Sequence, residues 1–234
     1  MSVSIGIALL VVCVVGVVGW LAGGMIGIGL PTQGKKIEHY ATPQKALLVI
    51  DIQEDYTGTT ARPPYPYKNS AQLIATVNTL TEEAFRQKIV IVYIRQEFDD
   101  LRGTLISGMI STMFSGKVSG GTAIKGNPGT EIDKRIAILS DYVFPKPRGD
   151  AFSNPEIEAL LIEHQVNELY LVGLDAEYCV HVTAKGALNR GYTVNIITDG
   201  IALRAEEKWE KLLQQYREEG IALLTSQQFL EQTP

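Results

Sequence analysis

The stretch Glu168-Leu-Tyr-Leu-Val-Gly-Leu-Asp-Ala-Glu-Tyr-Cys179 decides the fold. Its first half is an unbroken apolar run of strand length, the pattern of a strand buried on both faces of a parallel sheet. The chain then passes into a predicted helix over residues 178–190, which Gly191 can end. The same unit recurs outward in both directions. Lys45-Ala-Leu-Leu-Val-Ile-Asp51 is an apolar strand that stops on an acid, and residues 69–88 follow it with Leu73, Val77, Leu80 and Ala84 at helical spacing. Ile89-Val-Ile-Val-Tyr-Ile94 and Thr193-Val-Asn-Ile-Ile-Thr198 are two further strands. Residues 141–146 form a short strand running into a turn, and residues 155–164 a helix with Asn154 as N-cap and proline in first position. Residues 205–219 make an amphipathic helix, and residues 221–224 an edge strand. Strands alternating with helices imply an α/β domain whose parallel sheet is covered on both faces. Ligands bind such sheets at the carboxyl ends of the strands. Residues 97–128 are richer in Gly, Ser and Thr and read as a long loop with one short helix around 105–114, a length typical of lids and binding loops.

Ahead of this domain lies a segment of different character. None of the first 34 residues is Asp, Glu, Lys or Arg, and residues 3–30 are almost wholly apolar. That exceeds the roughly 20 residues a helix needs to cross a bilayer. A cleavable signal peptide would have a basic start and an apolar core of about 7–15 residues. Neither is present, so residues 1–33 read as a single-pass transmembrane anchor, although Ala22-Gly23-Gly24 leaves a cleavage-like site. Lys35 and Lys36 follow the run directly, and basic flanks stay on the cytoplasmic side, which puts the domain in the cytoplasm. Gly19, Gly23 and Gly27 recur every fourth residue, as a helix-packing face or as ordinary membrane-helix composition. Residues 34–43 are a polar linker, leaving residues 44–234 as one domain with a sizeable core. With 21 basic and 26 acidic residues the net charge is −5, so no nucleic-acid surface is expected.

The chain has two cysteines, Cys13 in the apolar segment and Cys179 in the domain. They cannot be bridged across that separation, so Cys179 is a free thiol, as in a reducing compartment. It starts a helix just past a strand end. There, unpaired N–H groups and the helix dipole favour thiolate, and a lysine nearby would add to this. Asp51 ends one strand and Lys146 another, so all three can converge on one edge of the sheet, with Asp51 as general base and acid. Taken singly, each has an ordinary structural explanation: a buried small thiol, a strand-end cap and a solvated lysine.

The words around these residues resemble a family. Leu47-Leu-Val-Ile-Asp51-Ile-Gln53, Phe144-Pro-Lys146-Pro-Arg-Gly-Asp-Ala-Phe152 and Val172-Gly-Leu-Asp-Ala-Glu-Tyr-Cys179-Val180 are similar, in this order, to the signature regions of isochorismatase-like cysteine hydrolases. Thr183-Ala184, Ala187, Gly191 and Thr198-Asp199-Gly200 continue the similarity. The resemblance implies a three-layer α/β/α sandwich with a mainly parallel, Rossmann-like sheet and an Asp51–Lys146–Cys179 catalytic triad. It also implies a cis peptide at Leu174–Asp175 and an oxyanion hole from the backbone N–H groups of Asp175 and Cys179. The implied activity is that of an amidohydrolase: Cys179 attacks an amide, carbamoyl or ureido carbonyl and passes through a thioester, with no cofactor. Gln53, Arg95, Arg148, Phe152 and Tyr178 are the candidate substrate contacts. Relatives often form homo-oligomers, which makes association possible here.

Two departures narrow the reading. Nicotinamidases of the family usually carry a metal on one Asp and two His. Asp55, Asp99 and Asp100 are available here, but His39, His164 and His181 fall elsewhere, so no metal is expected. Asp175 is acidic where many relatives are small; it either faces the pocket or braces its loop. The run of Pro and Tyr at residues 63–67 is a pocket wall or a stiff loop. Two other functions stay open: a membrane-held scaffold or sensor with the same fold but no turnover, and vinyl-ether hydrolysis of an isochorismate-like substrate, which the presence of Cys179 disfavours.

Overall fold

The computed structural model describes residues 2–58, 61, 67, 69–115 and 120–231. Its centre is a six-stranded sheet of β1 (Gln44–Ile50), β2 (Val90–Gln96), β3 (Val143–Lys146), β4 (Val166–Gly173), β5 (Thr193–Ile201) and β6 (Ala222–Leu224), in the order β3-β2-β1-β4-β5-β6. Every pairing is parallel. The helices are α1 (Ser2–Ile28), α2 (Ser70–Arg86), α3 (Leu101–Ser115), α4 (Pro155–Glu163), α5 (His181–Arg190), α6 (Trp209–Glu218) and α7 (Ser226–Glu231).

Alternation along the strands builds a core on each side of the sheet. Ala46, Leu48 and Ile50 of β1 face Ile157, Leu161, Ala184, Ala187 and Tyr216 of α4, α5 and α6. Leu47 and Val49 face Leu73, Val77 and Leu80 of α2 and Phe229 of α7. This is the three-layer arrangement expected of apolar strands buried on both faces. Asn154 caps α4 by accepting the Glu156 N–H at 2.9 Å, and Gly191 ends α5 with φ 85°. The last helix, α7, has no counterpart in the sequence reading; at six residues it is too short to show a period.

The chain lays down β1, β2 and β3 in one direction, then returns to place β4 on the other side of β1. The strand order therefore reverses between β1 and β4, and the crevice beyond their carboxyl ends is where such sheets bind ligands. Both strand ends are locally unusual. Asp51 has φ 55°, a conformation costing a non-glycine residue about 1–3 kcal/mol. Gly173 has φ 113°, and a Cβ there would lie 2.0 Å from the Ile50 carbonyl oxygen. Glycine is what lets β4 leave the sheet so close to β1.

Helix α1 has 27 residues. Among the described residues, no helix is long and apolar enough to cross a membrane. The last turns of α1 lie on the domain. Arg102 of α3 donates to the Trp20 carbonyl at 2.7 Å and covers its ring at 5.3 Å, while a Cβ on Gly24 would meet Ile106. The Ile28 carbonyl accepts the Gly149 N–H at 3.0 Å. Residues 29–37 then follow the surface. Thr32 donates through its N–H and hydroxyl to buried Asp150, at 2.7 and 2.8 Å, and Ile37 donates to the Arg190 carbonyl at 2.8 Å. The region read as a polar linker is thus fastened along α5.

Candidate active site

Asp51 sits one residue past β1, Lys146 is the last residue of β3, and Cys179 lies in the π-helical turn Ala176–Val180 that leads into α5. Widened turns of this kind recur at functional sites. The three side chains meet. Lys146 Nζ is 2.9 Å from Asp51 Oδ2 and 3.3 Å from Cys179 Sγ. It also donates to Gln96 Oε1 at 2.7 Å and to the Arg148 carbonyl at 3.1 Å. An ammonium has three protons for these four neighbours, so the sulfur contact is the one that can strengthen when sulfur becomes anionic. Lys146 is completely buried. Burial opposes its charge, yet neighbouring Asp51 and Cys179 hold its pKa above the ordinary lysine value.

The thiol behaves differently from the sequence expectation. Burial and then the Asp51 carboxylate push the Cys179 pKa up to about 12, and the opposing pull of Lys146 does not offset them. Cys179 therefore rests as a thiol, and its proton must be removed as it reacts. Hydrogen bonding to Asp51 also favours the protonated thiol. Asp51 Oδ1 is buried and has no hydrogen-bond partner among the described residues, whereas Oδ2 faces Lys146. An orphan carboxylate oxygen beside a protonated thiol is a general base in waiting.

A cavity of about 290 Å³ is lined by Asp51, Gln96 and Cys179, by Asp175, Tyr178 and Arg204, and by Met25 and Ile28 of α1, among others. A larger groove of about 630 Å³ lies past Tyr67, lined by Thr198, Asp199, Glu206 and Trp209 among others. Neither Cys179 nor Asp51 lines that groove, so the chemistry belongs to the smaller cavity.

Of the five candidate substrate contacts, only Tyr178 lines this cavity, with the Arg204 guanidinium 5.4 Å from its ring centre. Gln53 is wholly buried and bonds backbone instead, donating to the Gln96 and Thr130 carbonyls at 3.0 and 2.7 Å and accepting the Gln96 N–H. Arg95 pairs with Glu97 and Glu131. Alternation turns the neighbouring residue, Gln96, toward the lysine, so the expectation for Arg95 missed by one position. Arg148 is exposed and contributes only its carbonyl. Phe152 is buried between Tyr192, stacked at 5.8 Å, and Arg190 at 4.4 Å.

Asp175 lines the cavity, but its carboxylate braces the loop: it accepts from Tyr67 at 2.8 Å, Arg204 at 3.3 Å and the Glu177 N–H at 2.8 Å. Tyr67 is the only residue of the 63–67 run within the described residues, and it forms part of the cavity wall. Gln96 and Arg204 were not singled out in the sequence; of these only Gln96, at a strand's carboxyl end, carried a positional signal.

The metal positions of nicotinamidases do not fit this chain. Asp55 accepts the Ala123 N–H at 2.8 Å, Asp99 lies 3.8 Å from Lys125, and Asp100 caps Gly103 at 2.6 Å. His164 contacts Tyr142 and His181 pairs with Glu219 at 2.5 Å, both away from Asp55. Among the described residues, no group of three His, Cys, Asp or Glu side chains could hold a metal ion.

Comparison with known proteins agrees with the geometry. The chain is 26% identical over 167 residues to the uncharacterized isochorismatase family protein YaaI of Bacillus subtilis (strain 168), covering 70% of this chain and 83% of that one. It is 24% identical over 184 residues to the ureidoacrylate amidohydrolase RutB of Enterobacter sp. (strain 638), covering 73% and 80%. Its fold superposes on the crystal structure of N-carbamoylsarcosine amidase from Thermoplasma acidophilum with a TM-score of 0.62 at 23% identity, covering 78% of this chain and 96% of that one. The isochorismatase domain matches residues 45–228, and on that match the chain belongs to the isochorismatase family of hydrolases.

Proposed function

We propose that this protein is a cysteine amidohydrolase that cleaves the C–N bond of an amide, carbamoyl or ureido compound through a Cys179 thioester. The observation that carries the reading is Lys146 seated between Asp51 and Cys179, both of which line one cavity. The named relatives point the same way, since they are a ureidoacrylate amidohydrolase and an N-carbamoylsarcosine amidase.

In this mechanism Asp51 takes the thiol proton as sulfur adds to the carbonyl carbon. The high thiol pKa makes the transfer concerted with attack, because free thiolate is scarce at neutral pH. Lys146 follows the negative charge from carboxylate to sulfur without itself losing a proton. Backbone N–H groups of Asp175 and Cys179 receive the oxyanion, with the Leu174–Asp175 peptide cis. The intermediate collapses, the C–N bond breaks, and Asp51 returns the proton to the departing amine. Water then adds to the thioester with Asp51 as base, releasing the acid and restoring the thiol.

We further propose, on the apolar segment of residues 3–30 that carries no Asp, Glu, Lys or Arg, that the N-terminal region anchors the protein at a membrane with the domain on the cytoplasmic side. Resistance of the full chain to alkaline carbonate extraction would support the anchor; release of the intact chain into the supernatant would remove it. The activity is tested by screening full-length protein in phospholipid nanodiscs against amides, carbamoyl and ureido compounds, with ammonia release as the readout. Cys179→Ala abolishes turnover of any substrate found, and intact mass shows an acyl adduct on the wild type. Undiminished turnover by Cys179→Ala refutes the assignment.

A further inference from the structure

The lining of the catalytic cavity differs in chemistry from element to element. Asp51, Cys179 and the Asp175–Arg204 pair supply its charged and reactive groups. Helices α1 and α3 contribute Met25, Ile28, Ile110 and Met113, with Ser107 the one polar side chain between them, and Phe98 adds to this apolar share. Met113 is itself exposed, so this apolar share of the lining reaches the surface. Leu105, Met109 and Met113 are exposed along α3, and Ile26 and Leu30 are exposed at the end of α1. A pocket for a small polar amide has no use for such a mouth, since exposed contiguous apolar surface marks a binding surface. At about 290 Å³ the enclosed space is near the lower limit for drug-sized ligands. It takes a scissile group and a few carbons, and anything longer must leave over Met113.

From this continuity we infer that the substrate is amphiphilic: an amide-type headgroup at Cys179 joined to an aliphatic chain that passes between α1 and α3 and emerges over Met113. The inference rests on the hydrolase reading and deepens it by naming the substrate class. Arg102, which ties α3 to the Trp20 carbonyl, holds the two walls together.

The test uses full-length protein in phosphatidylcholine nanodiscs and N-alkyl chloroacetamides from methyl to dodecyl. Sulfur displaces chloride and forms a thioether, with the thiol proton leaving to Asp51 or solvent. Peptide mass spectrometry separates Cys179 from Cys13. The expected result is a rise in the Cys179 modification rate of about fourfold per methylene until the enclosed space is filled. Met113→Glu, at an exposed position that tolerates change, flattens that slope, although reagent partitioning into the bilayer is the same. A wild-type slope that is flat or falling, or a slope that Met113→Glu leaves intact, overturns the inference. Ammonia release from a short amide such as propionamide, measured in parallel, tells the two apart: turnover of the short amide with a flat slope leaves the hydrolase standing and removes only the chain.

Discussion

Replacing Lys146 by Met tests how the site is held together. The lysine and aspartate side chains are 0% and 3% exposed, and Nζ lies 2.9 Å from Asp51 Oδ2. Deleting it leaves a buried carboxylate without a cation. Breaking a buried pair in this way costs about 3–5 kcal/mol. For a domain of this size each kcal/mol lowers Tm by about 2–4 °C, so Lys146→Met should melt roughly 6–20 °C below wild type. Asp51→Asn should be milder, because Gln96 and the Arg148 carbonyl still hold Nζ and a buried lysine can shed its proton. The decisive protein is the double variant Lys146→Met/Asp51→Asn. With neither charge present it should regain stability relative to Lys146→Met, leaving a coupling of about 0.5–3 kcal/mol. Melting followed by near-ultraviolet circular dichroism in a fixed detergent supplies all four values. A double variant whose loss equals the sum of the single losses would show that the two side chains do not stabilise one another, and the proposed charge relay would lose its basis. All three variants should be inactive.

Iodoacetamide labelling of Cys179 should accelerate steadily through the alkaline range toward a pKa of about 12; a rate already at its plateau near neutral pH would contradict a resting thiol. Gly173→Ala should drive the protein into the insoluble fraction, since the added Cβ meets the Ile50 carbonyl at 2.0 Å and φ is 113°; a soluble variant with wild-type melting would refute the close approach. Asp133 is pressed upward by burial, but hydrogen bonds from Arg135 and Thr57 outweigh this and hold its pKa below the usual carboxylate range. Its contribution is therefore complete above the ordinary aspartate pKa and fades as pH falls through the lowered one. Asp133→Asn should cost about 1.5–3 kcal/mol at pH 7, with the gap to wild type narrowing in melts as the pH falls through the lowered pKa.

The parallel sheet was legible because strands buried on both faces must be apolar at every position, as in Leu47-Leu-Val-Ile50 and Leu169-Tyr-Leu-Val172. The meeting of Asp51, Lys146 and Cys179 was legible because each stands at a strand's carboxyl end or the turn after it, and a parallel sheet gathers those points on one edge. What escaped depends on side-chain direction and on distance in sequence. Arg95 and Gln96 differ by one position, and only the register of β2 against β3 shows which of them meets Lys146. The state of the thiol escaped as well: helix-start position argued for thiolate, but burial and the adjacent carboxylate are tertiary effects and they prevail. The contribution of Met25 and Ile28 to the cavity carried no signal, because apolar residues in an apolar helix give no indication that one end shares a cavity with a thiol more than a hundred residues away.

That last placement changes what a truncation means. A shortened chain starting at the boundary between helix and domain would ordinarily be the form chosen for crystals and assays. Here the cut would take away Met25 and Ile28, the carbonyl that receives the Gly149 N–H, and Thr32 with its two bonds to Asp150. Asp150 would be left as a buried acid missing two of its donors, two residues beyond Arg148, whose carbonyl accepts from Lys146. The trimmed protein would be an enzyme with its ceiling removed. Its substrate preferences would describe an open basin, and inactivity in that form would say nothing about the intact molecule.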